Sequence, residues 1–476
     1  MRKLLVGAFA LLTVAACSDK SAIDSDAATT AAATTETRSG INVAAMDTSV
    51  RPGDDFFAFV NGKWVEETEI PADKSSYSSF AVLNDEAQEK VKVIIEESAN
   101  GDFAKGTDEQ KVGDLYRSYL DMETRDRKGV EPLQGELDRI AAISSYDELS
   151  VYFATAMKRS LDAPFALGQV ADFKDPRYYM IYGGQSGLGL PDREYYLKDD
   201  DESTALREQY VEHIAKMFDL AGFANGAASA EAIMALETRL AEQNMSKEDS
   251  RNWAANYNKV PLEELPLLMP NFNWDGYLEE LAIEDVGAIV VFTTDYMKAL
   301  DGIIVDTDLD TWKTYFKWSA LNQTASRLTT ALDQQNFAFY GKTLSGTEEQ
   351  QPMWRRAVSA VNGTLGEVVG KVYVKRHFPP EAKERMLELV GNLVKAYEKS
   401  IKELDWMSED TKVQALDKLS KFTPKIGYPD EWRDYSALQI EADDYYGNIE
   451  RAALANYKRL LDRQGGPVLS LIHISE

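Results

Sequence analysis

LDWMSEDTKVQALDKLSKFTPKIGYPDEWRDYS, residues 404–436, decides how the rest of the chain is read. Ser408 stands before an acidic pair and a run of good helix formers, the pattern of a side-chain-capped helix start. The helix it predicts runs to about Phe422 and is stopped by Pro424, whose ring and missing amide proton do not fit a helix interior. Immediately upstream, 381–404 places Met386, Val390, Leu393, Tyr397, Ile401 and Leu404 in alternating steps of three and four. That is the period of one helix face.

Working outward, the same period recurs. It appears over 82–97 (Val82, Ala87, Val91, Ile94, Ile95), over 204–221 (Leu206, Tyr210, Ile214, Met217, Phe218) and over 229–245 (Ile233, Leu236, Leu240). Thr107 to Gln110 and Ser145 to Glu148 have capping-box spacing ahead of apolar-periodic segments. A further helix is expected around 440–463, carrying Ile440, Tyr446, Ile449, Leu454, Tyr457 and Leu460. One stretch departs from this pattern. Phe165–Val170 and Tyr178–Tyr182 are short aromatic or β-branched runs on either side of Lys174-Asp175-Pro176-Arg177, which predicts a hairpin. No repeat of solenoid period is present. The fold class is mainly α: a large helical-bundle domain over 46–430 with a small β-hairpin.

The chain has 476 residues and a formal charge of -27. That length allows a large core and two to three domains. The charge favours solubility and repels phosphate backbones, so nucleic acid is not an expected partner. Residues 1–17, MRKLLVGAFALLTVAAC, combine a basic start with an apolar core too short to anchor across a bilayer, which reads as a signal peptide. Val14-Ala15-Ala16-Cys17 resembles a bacterial lipobox, in which the Cys17 thiol receives the lipid; the alternative is a secretory signal with an incidental cysteine. Ser18, rather than an aspartate, follows it and by analogy favours the outer membrane. Cys17 is the only cysteine, so an acylated chain has no thiol left for a disulfide. Residues 18–45 are rich in Ala, Thr and Ser and read as a flexible tether. At the other end, 469–476 reads LSLIHISE. It resembles a translated sequencing adapter, the alternative being a short C-terminal strand.

Catalytic constellations are scarce. A thermolysin-type zinc site needs two histidines at i and i+4 with a glutamate between them. The three histidines, His213, His377 and His473, are far apart and form no HExxH. His213 flanks the apolar stripe of its helix and is expected to be a half-buried structural residue; His377 reads as part of a helix exit. Ser345 is not in a G-x-S-x-G elbow, and no glycine-rich phosphate loop appears. Among 79 acidic residues a chance carboxylate pair is nearly certain, so such pairs identify no glycosidase. No catalytic, cofactor-binding or metal-binding residue is assigned; Cys17 is the one modification site.

Several blocks nevertheless share one affinity. Gly53-Asp54-Asp55-Phe56-Phe57-Ala58-Phe59-Val60-Asn61-Gly62-Lys63-Trp64 opens the series, followed by Ile70-Pro71-Ala72-Asp73-Lys74 and Ser78-Ser79-Phe80. Then come Gly187-Leu188-Gly189-Leu190-Pro191-Asp192-Arg193-Glu194-Tyr195-Tyr196-Leu197, Phe339 to Gly346, Trp354-Arg355-Arg356, Val361-Asn362, Leu365-Gly366, Tyr373-Val374 and the 404–436 block. In this order they resemble the neprilysin/endothelin-converting-enzyme family of zinc metallopeptidases, in particular its bacterial endopeptidase-O branch.

The resemblance implies that 46–430 is the family's helical, non-catalytic N-terminal domain, which encloses a cavity and selects peptides by size. It implies that 431–468 connects to a catalytic domain absent from this chain, and that this connection exposes surface meant for that domain. The zinc, the general-base glutamate and the substrate-gripping segment would all lie beyond Val468. Ser76 stands where neprilysin itself carries an arginine that helps hold a substrate's terminal carboxylate, which favours endopeptidase action. The expectation is the N-terminal part of a cell-envelope zinc metalloendopeptidase acting on peptides, lipid-anchored through Cys17, with no zinc held by this fragment and no activity of its own. The alternative is a non-catalytic helical lipoprotein that binds peptides or a partner protein.

Overall fold

The computed structural model describes residues 41–466 and Val468. Cys17, the leader, most of the tether and 469–476 lie outside them. The chain divides between Glu69 and Ile70 into two compact units. The first contains a short 3-10 turn, Val43–Ala45, at the end of the stretch read as a tether, and the helix Phe56–Glu67. The Asp55 carboxylate accepts the Ala58 amide at 2.8 Å and starts that helix. Gly62 lets Asp47 approach it: a Cβ at Gly62 would stand 2.8 Å from the Cβ of Asp47.

The second unit is helical for the reasons visible in the sequence. Ser78 caps Ser79–Asn100, Thr107 caps Asp108–Leu120, Ser145 caps Tyr146–Lys158 and Asp200 caps Asp201–Leu220, each accepting a first-turn amide. These caps satisfy donors that have no partner within the helix. Gly226–Gln243, Leu309–Thr324, Met353–His377 and Pro380–Glu403 follow, and Ser408 caps Glu409–Ser420 as expected. The last helix, Tyr445–Leu461, begins later than its periodicity suggested, because Asp444 caps it through the Gly447 amide.

The hairpin is present as β1 (Phe165–Ala171) and β2 (Tyr179–Gln185), antiparallel, with Gly168 opposite Tyr182. It belongs to a larger element than the sequence suggested. β3 (Asn258–Pro261) and β4 (Ala288–Val291) complete a four-stranded sheet in the order β1-β2-β4-β3, with β2 parallel to β4 and β3 antiparallel to it. Four-residue strands are too short to show a period of two, so β3 and β4 left no usable signal.

Two apolar cores hold the second unit. The larger gathers Phe153, Phe165, Tyr210, Phe218, Trp312, Phe316 and Trp318 from helices and sheet. Each such ring removes enough apolar surface from water to contribute roughly 1.5–3 kcal/mol. The smaller joins helices 79–100, 108–120 and 353–377 through Ile95, Leu115, Val361 and Leu365, and it also takes in Tyr435, Leu438, Ile440 and Tyr445. Lys111, almost fully buried, donates from Nζ to the Tyr435 carbonyl at 2.5 Å, and Gln110 Nε2 donates to the Ile440 carbonyl at 3.0 Å.

The segment 431–468, expected to present surface to a further domain, is in part tied into the smaller core and in part exposed, Leu454 at 38 %. Leu438, Ile440, Tyr445 and Asn448 are its buried anchors, Ile440 1 % exposed and Asn448 0 %. The helix Pro380–Glu403, by contrast, buries no residue and leaves Met386, Leu389, Leu393 and Tyr397 exposed on one side. The contrast yields a test by denaturant unfolding. Ile440→Ala is expected to cost about 2–5 kcal/mol, as for other buried aliphatic truncations, whereas Leu393→Ala should change stability by less than about 0.5 kcal/mol. Equal effects at the two positions would contradict the placement of the loop in the core.

Candidate functional site

The blocks that carried the resemblance are far apart in sequence, and the structure brings several together through polar contacts. The first meeting point is Glu237 on helix 226–243, 1 % exposed. Tyr196 Oη donates to its Oε2 at 2.7 Å and Tyr210 Oη to the same oxygen at 3.0 Å. Trp318 Nε1 in turn donates to Tyr210 Oη at 3.0 Å. Around this carboxylate runs the Gly187–Leu190 segment. Tyr315 Oη donates to the Gly187 carbonyl at 2.6 Å, Tyr340 Oη to the Gly189 carbonyl at 3.1 Å, and the Leu190 amide donates to Tyr196 Oη at 2.9 Å.

Both glycines are required here. Gly187 has φ +83°, in the left-handed region, and a Cβ at Gly189 would stand 1.8 Å from Tyr210 Oη. Tyr340 reaches the segment from a π-helix, Phe337–Leu344, whose wide turn places buried Phe339 and Tyr340 side by side on the core. Burial pushes the Glu237 carboxyl up to about 7, against the tyrosine hydrogen bonds that favour its charged form.

The second meeting point is Asp85 on helix 79–100. Lys74 Nζ lies 2.6 Å from one of its oxygens and Arg355 Nη1 2.7 Å, joining the Ile70–Lys74 block to the Trp354-Arg355-Arg356 block. Burial works against the Asp85 charge, but the hydrogen bonds and charges of Lys74 and Arg355 outweigh it and hold the carboxyl below its usual range. The neighbouring Arg356 pairs with buried Asp333. Ser76 is exposed between Lys74 and Tyr77.

The histidines take structural positions. His213 is more buried than its sequence suggested, 2 % exposed, because Phe339 stacks on its ring at 4.8 Å and Trp318 meets it edge-on. Its Nδ1 contacts Gln335 Nε2 at 3.1 Å. Desolvation, with the Lys216 charge adding to it, lowers its pKa to about 3, so it is neutral at ordinary pH. His377 ends helix 353–377 at the surface. His473 lies outside the described residues. Among the described residues no group of three or more His, Cys, Asp or Glu side chains is placed to hold a metal ion.

The two polar clamps, at Glu237 and Asp85, tie separate sequence blocks into one helical unit. The profile of Peptidase family M13 matches residues 52–429, and the chain belongs to that family. It is 28% identical to the endothelin-converting enzyme-like 1 protein of Mus musculus over 434 residues, covering 88% of this chain and 55% of that protein. It is 27% identical to the neutral endopeptidase of Lactobacillus helveticus over 433 residues, covering 90% of this chain and 66% of the relative. The crystal structure of the Mycobacterium tuberculosis zinc metalloprotease Zmp1 in complex with inhibitor superposes with a TM-score of 0.86 at 38% identity, over 91% of this chain and 66% of that one. The chain thus spans roughly half to two thirds of the length of these relatives. A zinc ion of the kind the family implies finds no fitting donor set among the described residues.

The Glu237 carboxyl gives a pH signature. Its folded pKa of about 7 lies above the 4.5 of the free group, so between these values the folded chain holds a proton that the unfolded chain has released. The contribution of this group to stability is full below about pH 4.5 and is lost as pH rises through 7, on the order of 3 kcal/mol for the shift. Melting temperatures measured from pH 5 to 8 should fall in the parent protein and fall less in Glu237→Gln. Parallel curves for the two would rule out Glu237 as the source.

Proposed function

We propose that this chain is the N-terminal, substrate-enclosing part of a zinc metalloendopeptidase that hydrolyses peptides, with the zinc ligands and general base carried on residues it does not hold. In this reading 46–430 is the helical domain of the enzyme and 431–468 leads into the catalytic domain, its partner. The fragment itself holds no zinc and cleaves no peptide. The reading is supported by one observation: the M13 profile runs through residues 52–429 of a chain that spans half to two thirds of its relatives' length. An enclosing helical wall fits peptide substrates because it excludes folded proteins and keeps water from the reacting groups. The lipobox-like Val14-Ala15-Ala16-Cys17 supports attachment to the bacterial cell envelope through lipid on Cys17, at the outer membrane.

The test starts from independently cloned genomic DNA. Reading past the Val468 codon should give an aromatic Asn-Ala-Tyr-Tyr segment and then HExxH. The longer product should carry stoichiometric zinc by elemental analysis and cleave a quenched fluorogenic peptide, whereas the 476-residue chain should do neither. Labelled palmitate should enter the protein and be absent from Cys17→Ser. A stop codon at that position in the independent clone, or zinc-dependent hydrolysis by the shorter chain, would sink the proposal and leave a peptide-binding lipoprotein as the reading.

A further inference from the structure

Side chains alternate across a strand, so the sheet register defines two faces. One carries Phe165, Ile181 and Ile289 into the larger core. The other carries a row of residues in register, Gly168 on β1, Tyr182 on β2, Val290 on β4 and Lys259 on β3. Val290 is fully buried, yet it is not part of that core. Its register neighbour Tyr182 belongs to a cluster of aromatic rings. Phe173 lies 4.8 Å from Tyr182 and 4.9 Å from Trp253, and Trp253 lies 5.1 Å from Phe292, all by ring centroid. Phe173 is 52% exposed and Trp253 55% exposed, so the cluster forms a wall open to solvent.

The wall is held in place from beneath. Asp172, 6 % exposed, accepts Tyr182 Oη at 3.0 Å, Tyr257 Oη at 3.1 Å and the Lys174 amide at 3.1 Å. Beside the wall two glycines leave the sheet locally uncovered. No heavy atom lies within 4 Å of where a Cβ on Gly168 would stand, and Gly184 meets only Phe292 and Thr293 at 3.7–3.8 Å. Glycines in strand interiors leave room for another backbone to approach. Two lysines edge this face. Lys174 Nζ stands 4.1 Å from the Tyr257 ring centre, Lys259 is exposed, and neither takes part in any of the ion pairs among the described residues. Asp172 is already engaged by its tyrosines, and Asp175 pairs with Arg177.

We propose that this open face of the sheet, with its floor at Gly168 and Gly184, its wall at Phe173, Trp253 and Phe292 and its cations at Lys174 and Lys259, is a docking subsite for an extended peptide that carries a large apolar side chain next to a carboxylate. The ring or aliphatic side chain lies edge-on against the aromatic wall, and the peptide backbone lies over the glycines. The lysines make this face receptive to an acidic peptide that a surface of net charge -27 otherwise repels. The subsite rests on the peptidase reading for its biological role, but binding itself needs no catalytic group.

Isothermal titration of the purified chain with the N-acetylated peptide Glu-Phe-Asp-Leu tests it, with Lys-Phe-Lys-Leu as counterpart. Saturable binding of the acidic peptide is expected, with the basic one at least about tenfold weaker, a difference of about 1.4 kcal/mol. Gly168→Val, which fits the open space, and the pair Lys174→Glu with Lys259→Glu should each weaken binding by about tenfold while leaving the melting temperature unchanged. Absence of saturable binding overturns the subsite, and so does binding that ignores these substitutions. Retention on phosphatidylglycerol vesicles that the same substitutions abolish, without peptide binding, also overturns it and makes the face a lipid contact. Hydrolysis by the longer gene product without binding here removes only the subsite; binding without hydrolysis by that product supports the subsite and removes the peptidase reading.

Discussion

A carboxylate placed in an apolar interior is costly unless polar groups surround it. Glu237 meets that constraint with two tyrosine hydroxyls, and much of the larger core is arranged to supply them. Tyr196 and Tyr210 come from separate helices, Trp318 orients Tyr210 from a third, and the Gly187–Leu190 segment closes the ring by bonding to Tyr196, Tyr315 and Tyr340. Losing one donor leaves a buried polar group unpaired, which costs more than the bond itself contributes. This explains why a stretch as pliable as Gly-Leu-Gly-Leu holds one conformation.

The same logic operates in the smaller core with different chemistry. Lys111, Gln110 and Asn448 are buried and spend their donors on main-chain carbonyls of the 435–441 loop and on Ser118. Bonds to carbonyls fix a loop that has no regular structure of its own, since its backbone groups must find partners somewhere. A segment that reads as a connector is in this way tied to the smaller core through Tyr435, Leu438 and Ile440. The helix pair 380–403 and 409–420 lacks such ties over most of its length, and its apolar stripe stays in view of solvent.

Much of the fold was legible in the residues. The caps at Thr107, Ser145 and Ser408 and the apolar periods on the helices they start are local signals, and the structure uses each of them. The hairpin was legible for the same reason, through Asp175-Pro176 between two short β-prone runs. The strands 258–261 and 288–291 were not, because a strand of four residues is specified by its neighbours. The candidate site was legible only as separate blocks. Nothing in Glu237 distinguishes it from the other acidic residues until three helices and a glycine segment enclose it, and the aromatic wall draws Phe173, Trp253 and Phe292 from three distant segments.

Local order and family membership were thus set by the sequence, because capping, periodicity and motif order act over a few residues at a time. Which acid is buried, which loop becomes core, which sheet face stays open and which helix face stays uncovered were decided by tertiary structure. Those outcomes depend on desolvation, and how much water a group loses is fixed only when distant segments come together around it.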